Sequence, residues 1–242
     1  MDQRRYMPRL GTRKVHYLIR PTLENNQIKL GRDALFDFLR SEHMLIKPRK
    51  SYTKTTWSKH WLRKYPNLYK DIRVTRSEQV WVSDITYIGT KSGNTYLSLV
   101  TDAYSRKIVG HHLSSDLRTE GVAKALSMAI QKRKTKLPLI HHSDRGLQYC
   151  SEEYQRILAT ETIQPSMTDG YDCYQNALAE RINGILKDEF LLTTYEDRNQ
   201  LEKVINQSIS LYNSKRPHLN LKYKTPTFMH EKSLAELTTR DS

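Results

Sequence analysis

Three acids stand where an acid has a cost. Asp84 lies in the middle of "VWVSDITYIG", an otherwise apolar, β-rich run. Asp144 closes the step "LPLIHHSD", and Glu180 lies inside "CYQNALAERINGILKDEFLL". A charge in an apolar strand is unfavourable unless it is paired or bound to metal. Three carboxylates meeting at one edge would suit a hard divalent cation, because Mg2+ takes oxygen ligands and keeps several waters. Two such ions, about 3.5–4 Å apart, serve in-line phosphodiester transfer by activating the attacking oxygen and stabilising the leaving one. The stretch "HHSDRGLQYCS" around Asp144 leaves other readings open: a salt-bridge anchor, a turn former, or part of a Ser/His/Asp set.

Whether the acids meet depends on the elements that carry them. From residue 80 the pattern turns to strands. "VWVSDITYIG" suits a strand covered on both faces, "KSGN" a turn, and "TYLSLVTDAYSR" and "KIVGHHLSS" two further strands of an antiparallel meander. "TEGVAKALSMAIQKR" reads as a helix with Val122, Ala125, Leu126 and Ala129 as its apolar stripe. A fourth strand ends at Asp144, and a helix follows with Ser151 as N-cap. "IQPSMT" is a short fifth strand, and a long helix carries Glu180. The order βββαβαβα is that of a ribonuclease-H-like core: an α/β fold with a mixed five-stranded sheet and flanking helices. It places Asp84 on strand one, Asp144 at the end of strand four and Glu180 on the last helix. On that helix Asn176, Glu180, Asn183 and Lys187 share one side, while Leu178, Ile182 and Ile185 lie on the other. The polar stripe is expected to face an active edge.

The charge is uneven. The chain of 242 residues carries a net +14, and residues 1–75 hold 18 Lys/Arg against 6 Asp/Glu. A basic segment joined to a nearly neutral one points to a grip on nucleic acid beside a separate working domain. Residues 11–25 and 31–42 read as two short helices with a tight link, with Val15, Leu18 and Ile19 on one face of the first and Leu35, Phe36 and Leu39 on one face of the second. Residues 1–45 are therefore expected to be a small helical, helix-turn-helix-like domain; a plain helical pair is the alternative. Residues 46–77 read as a basic linker, in which cations sit on phosphates and Trp57 and Trp61 stack on bases or cover the next domain. Residues 78–230 are expected to be the catalytic core, and 231–242 a tail. No run is long and apolar enough for a membrane span, and the N-terminus has no apolar segment like that of a signal peptide. Cys150 and Cys173 give neither a disulfide framework nor a Cys-x-x-Cys pair. A cytoplasmic protein is expected.

Several stretches together, "VWVSDITYI", "LVTDAYSRKIVGHHLS", "HHSDRGLQYCS", "SMTDGYDCYQNALAERINGILKDE" and "YNSKRPHLNL", resemble the integrase-core transposases of bacterial insertion sequences. The resemblance is to the second-reading-frame product of the IS-three group, strongest over about residues 78–230. Between Asp144 and Glu180 lie 35 residues (180 − 144 − 1), as in the family's Asp-Asp-35-Glu pattern. The resemblance implies that Asp84, Asp144 and Glu180 are catalytic ligands to Mg2+, with Mn2+ able to substitute. It implies that Lys187 contacts transposon-end DNA and that the protein acts as a homo-oligomer on the element's ends and target DNA, in a bacterial cytoplasm at the nucleoid. Where the family usually has "SRRGNCYDNA" this chain has "MTDGYDCYQNA", so Asp169 replaces a basic residue near the DNA and Gln175 stands where an acid is common.

Other residues compete for roles. Asp102, in "VTDAYSRK", is a rival acid expected to fix a turn or pair with Arg106. Of His141 and His142, only His142 can share a strand face with Asp144, and both are expected to pack or support. A Ser143-based hydrolase lacks the Gly-x-Ser-x-Gly elbow. Arg145 with Gly146 should form the turn after the strand, with Arg145 a candidate phosphate contact. Asn176 is a candidate bond to Glu180 or to DNA, and Arg216 and His218 in "SKRPH" are candidate DNA contacts. Two rival functions remain: a ribonuclease-H-like structure-specific nuclease, and a non-catalytic DNA-binding protein.

Overall fold

In the computed structural model, residues 2–46, 61–169 and 173–239 are described. Trp57 lies outside them, as does the side chain of Cys173. Among them five strands form one sheet, β1 (Val80–Thr90), β2 (Gly93–Asp102), β3 (Ile108–Ser114), β4 (Leu139–Ser143) and β5 (Ile163–Met167), in the order β3-β2-β1-β4-β5. The first three pair antiparallel, while β4 runs parallel to both β1 and β5. The expected mixed sheet and its helix order are observed.

Alternation along the strands sorts side chains onto two faces. Trp81 and Val100 face a cluster built with α4 (Thr119–Lys132), the one-turn α5 (Leu147–Cys150) and α6 (Glu152–Thr160). Val122, Ala125, Leu126 and Ala129 form the buried stripe of α4, as the spacing predicts. Val80, Val82 and Ile140 point the other way, onto Ala179 of α7 (Ala177–Ile185). The backbone before α7 is a 3-10 turn, Cys173–Asn176, and after it a π turn, Leu186–Phe190. The single long helix expected here is thus three helical segments in succession.

Helix α4 reaches the sheet closely because β3 has Gly110 beneath it. A Cβ there would run into the carbonyl oxygen of Ala125 and the Ala129 side chain. Backbone cannot yield as a flexible side chain does, so Gly110→Ala is expected to destabilise the fold by about 3 kcal/mol, read as a lowered midpoint in urea.

The N-terminal residues form α1 (Asp2–Tyr6), α2 (Thr12–Asn25) and α3 (Arg32–Ser41). Met7, Leu10, Val15, Leu35 and Leu39 join one core with Leu186, Phe190 and Tyr212. The helical lead-in therefore packs directly on the segment that follows α7. Of the expected apolar positions on α3, Phe36 is the exception: it is exposed and carries Arg40 over its ring at 4.9 Å.

After α8 (Arg198–Ser214) the chain ends in α9 (Pro226–Thr238), capped by Thr225, which accepts from the Phe228 N–H. This helix runs across residue 230, where a tail was expected to begin, and His230 binds it to the core. His230 is buried 3.8 Å from both the Glu78 and the Asp102 carboxylates, and its Nδ1 lies 3.1 Å from Ser105 Oγ. Asp102 also accepts from the Ser105 N–H and Oγ–H and from the Glu78 N–H. It fixes the turn after β2, as expected, without a side-chain pair to Arg106.

Burial disfavours charge on His230, but bonding to Asp102 and Glu78 outweighs it, so its pKa is raised. Burial pushes Glu78 upward, yet His230 and the Lys134 and Thr135 N–H groups bring it down to about 2. The imidazolium therefore stabilises the fold fully below its unfolded value near 6.5 and ceases to do so as pH rises through its higher folded value. Glu78 contributes above its unfolded value and fails only near pH 2. Thermal melts from about pH 6 to about pH 9 should show a loss of stability that His230→Gln reduces, with the part above about pH 7 affected most.

Candidate functional site

The register places two of the three acids. β1 and β4 pair as Val80↔Ile140, Trp81↔His141 and Val82↔His142. Asp84 and Asp144 each follow the last paired residues, Val82 and His142, by two positions, so both lie at the same end of the sheet. Both share the sheet face of Val80, Val82 and Ile140, the face that α7 covers. Asp144 sits just past β4 in a turn, where its Oδ1 accepts from the Gly146 N–H at 3.0 Å.

Helix α7 is fastened to β1 along its polar side. Asn176 Nδ2 donates to the Ser83 carbonyl at 3.0 Å, Asn183 Nδ2 to Asp84 Oδ2 at 2.8 Å, and Lys187 Nζ to Thr86 Oγ1 at 3.3 Å. These residues sit four before, three after and seven after Glu180, so the polar stripe does face the strand. Glu180 is on the same side of α7 and is itself exposed.

Electrostatics register the convergence. Burial pushes Asp84 up to about 7, with help from the Asp144 and Glu180 charges and against the bonds from Asn183 and the Ile85 N–H. Burial, then Asp144, also raises Glu180. Three like-charged carboxyls therefore feel one another, an arrangement that a cation relieves. Among the described residues, however, no three His, Cys, Asp or Glu side chains are already drawn together as a finished metal cage. The donor chemistry nevertheless fits a hard cation: oxygen ligands throughout, and the buried Asn183 Oδ1 beside Asp84 with no hydrogen-bond partner.

The histidines support rather than ligate. His142 Nδ1 lies 2.9 Å from Ser166 Oγ, and its Nε2 lies 3.1 Å from the Gln175 carbonyl. His141, on the opposite face, bridges Ser83 Oγ at 2.8 Å and Tyr154 OH at 2.9 Å. Burial holds the two rings neutral, at about 4 and about 3 respectively. Cys150 is a buried thiol pushed up to about 11, first by burial and then by Asp144.

The other candidates separate. Arg145 is adjacent to Asp144 and partly buried. Asn176 bonds the strand and not Glu180. Arg216 was a candidate DNA contact, with an ordinary surface loop residue as the alternative; instead it is 2% exposed. Its Nε and Nη2 donate to Glu189 at 2.7 and 2.6 Å, and Nη1 meets His218 Nε2 at 3.0 Å. With its guanidinium enclosed and paired, it is a structural residue. His218 is buried with it, and its pKa is driven to about 2 by burial and by Arg216. Asn183 and Thr86 emerge as neighbours of the acids. For Asn183 the four-three-four spacing of the stripe was the signal.

Comparison with known proteins agrees with the geometry. Models of the integrase core domain match residues 74–173 and 161–226. An insertion element IS600 protein of Shigella sonnei is 35% identical over 225 residues, covering 92% of this chain and 81% of that protein. The transposase for insertion sequence element IS904 of Lactococcus lactis is 38% identical over 176 residues, covering 69% of this chain and 70% of that protein. The HTLV-2 integrase catalytic core, solved with magnesium, superposes with a TM-score of 0.53 at 22% identity over 65% of this chain and 99% of that one. The simian T-cell lymphotropic virus intasome gives 0.56 at 19% identity, over 91% of this chain and 74% of that one. The fold and the matching domain models define a ribonuclease-H-like integrase core. The chain belongs to the IS3-type transposases of bacterial insertion sequences.

Proposed function

We propose that this protein is a DNA transposase, a polynucleotidyl transferase that cleaves one strand at each end of its element with water and joins the freed 3′-hydroxyl to a target phosphate. The observation that carries this reading is the approach of Asp84, Asp144 and Glu180 from β1, β4 and α7, with Asp84 and Glu180 raised first by burial and then by the neighbouring carboxyls. These three would hold Mg2+, or Mn2+ in its place, most plainly as a pair of ions. When bound, such ions activate the attacking oxygen and neutralise charge building on the phosphate. Asn183 orients Asp84 through its 2.8 Å bond, and Asn176 and Lys187 set α7 against β1 on either side. Lys187, half-buried and lowered in pKa by burial, stands at the mouth as a phosphate contact, with Arg145 beside Asp144 as a second. The protein would hold two DNA ends as a homo-oligomer, in the cytoplasm at the nucleoid. No described helix is long and apolar enough to cross a membrane.

The test is cleavage and joining on the element's own inverted repeats with Mg2+. Joined product, dependent on both repeats, is the expected result. Cleavage indifferent to the end sequence, without joining, would favour a structure-specific nuclease. No divalent-ion effect at all would favour a DNA-binding protein without catalysis.

A further inference from the structure

Residues 61–70, "WLRKYPNLYK", carry three cations and no acid. The structure ties this segment to the end of the sheet where the carboxylates lie. The Met167 N–H at the C-terminal end of β5 donates to the Pro66 carbonyl at 3.3 Å, and the Leu68 N–H donates to Ser166 Oγ at 2.9 Å. Asn67 Nδ2 donates at 2.7 Å to Oε1 of Gln175, just ahead of α7. Ser166 and Gln175 are also the partners of His142, two residues before Asp144. The segment is therefore one strand away from β4 and level with Asp144. Leu62 and Tyr65 pack inward, while Arg63, Lys64 and Lys70 are exposed and Trp61 is 92% exposed. The fields of Lys64, Arg145 and Asp144 all act on Cys150, which agrees with that closeness.

We infer that residues 61–70 form a nucleic-acid ridge along the β5 side of the site, with Trp61 as a stacking platform for an unpaired nucleotide next to the reacting end and Arg63 and Lys64 on the flanking phosphates. This deepens the transposase reading and rests on it. The Trp61 indole is presented almost wholly to water, and the exposed cations Arg63 and Lys64 follow it closely in the chain. A flat aromatic beside fixed cations matches a single-stranded backbone, whose bases offer a free ring face. Bases inside a duplex are already stacked, so the ridge is specific for frayed or cleaved ends.

The experiment uses the full chain with Asp84→Asn to prevent turnover and Trp57→Phe so that Trp61 and the buried Trp81 are the two indoles left. The probes are a single-stranded oligonucleotide, an end duplex with three unpaired terminal nucleotides, and the same duplex fully paired. The first two should quench Trp61 fluorescence. In the Asp84→Asn background, Trp61→Ala should weaken binding to them about ten-fold and to the paired duplex far less. Lys64→Ala should lower the salt dependence of binding by about one counterion. Unchanged affinities and no quenching would overturn the ridge. A concentration-dependent self-association without DNA that Trp61→Ala abolishes would overturn it too, by making the surface a contact between copies. Quenching without any joining by the protein carrying Asp84 would sink the transposase reading and leave the ridge. Joining of frayed ends at full rate by Trp61→Ala alone would do the reverse.

Discussion

Asp84→Asn or Glu180→Gln should lower strand cleavage and joining by about a thousand-fold while leaving affinity for end DNA close to that of the unaltered protein. A bound ion contributes several kcal/mol of charge stabilisation, and each 1.36 kcal/mol is a factor of about ten in rate. Both substitutions keep side-chain size and remove only the negative charge. They should not unfold the protein. Asp84 is held at about 7, so above that pH its ionised form is a burden on the apo fold, because an acid raised in the folded state destabilises as pH climbs from its unfolded value through the folded one. Apo Asp84→Asn should therefore melt at or above the temperature of the unaltered protein near pH 8. A variant inactive but more stable marks a residue kept for chemistry. Asp84→Asn that is inactive and also unfolded would instead point to a structural carboxylate.

The second large effect is on stability. Arg216→Ala should cost about 3–5 kcal/mol, because it leaves Glu189 without its buried partner. For a chain of this length that is a drop in melting temperature of about 10 °C. Lys14→Ala, which removes a longer 3.5 Å contact to the same carboxylate, should cost much less. The pair is read by thermal melting beside a DNA-binding titration. If Arg216 were a DNA contact, Arg216→Ala would keep the melting temperature and lose affinity instead. The Lys14, Glu189 and Arg216 cluster also joins the N-terminal helices to the π turn that contains Lys187. Loss of stability there should accordingly be accompanied by loosened packing of the N-terminal helices.

The contrast between these two sets of residues shows what a sequence displays. As candidates, Asp84 stood out because one charge interrupts an apolar strand, and Glu180 because it shares a four-three-four spacing with Asn176, Asn183 and Lys187; their role as metal ligands came only from the resemblance. The succession of strands along the chain was legible from β-rich runs and turn residues, and Ser151 was legible as a cap, accepting from the Tyr154 N–H. Arg216 was not legible. A Lys- and Arg-rich loop before a proline looks like surface, and its partner lies 27 residues away on a different element. The Glu78, Asp102 and His230 cluster is assembled from three distant segments and leaves no local pattern. Helix α9 did carry a signal, Thr225 followed by Pro226 at the first helical position, which is a common way to start a helix. The π turn has no sequence mark; within it Glu189 accepts from Arg216 while Lys187 donates to Thr86.

Manganese binding tests the account most directly. A Mn2+ titration followed by electron paramagnetic resonance, on the protein bound to an end duplex lacking its 3′-hydroxyl, should show ions taken up by the unaltered chain. Asp84→Asn, Asp144→Asn and Glu180→Gln should each weaken uptake at least about ten-fold. Equal uptake by all three variants, or none by the unaltered chain, would contradict a shared site at these carboxylates.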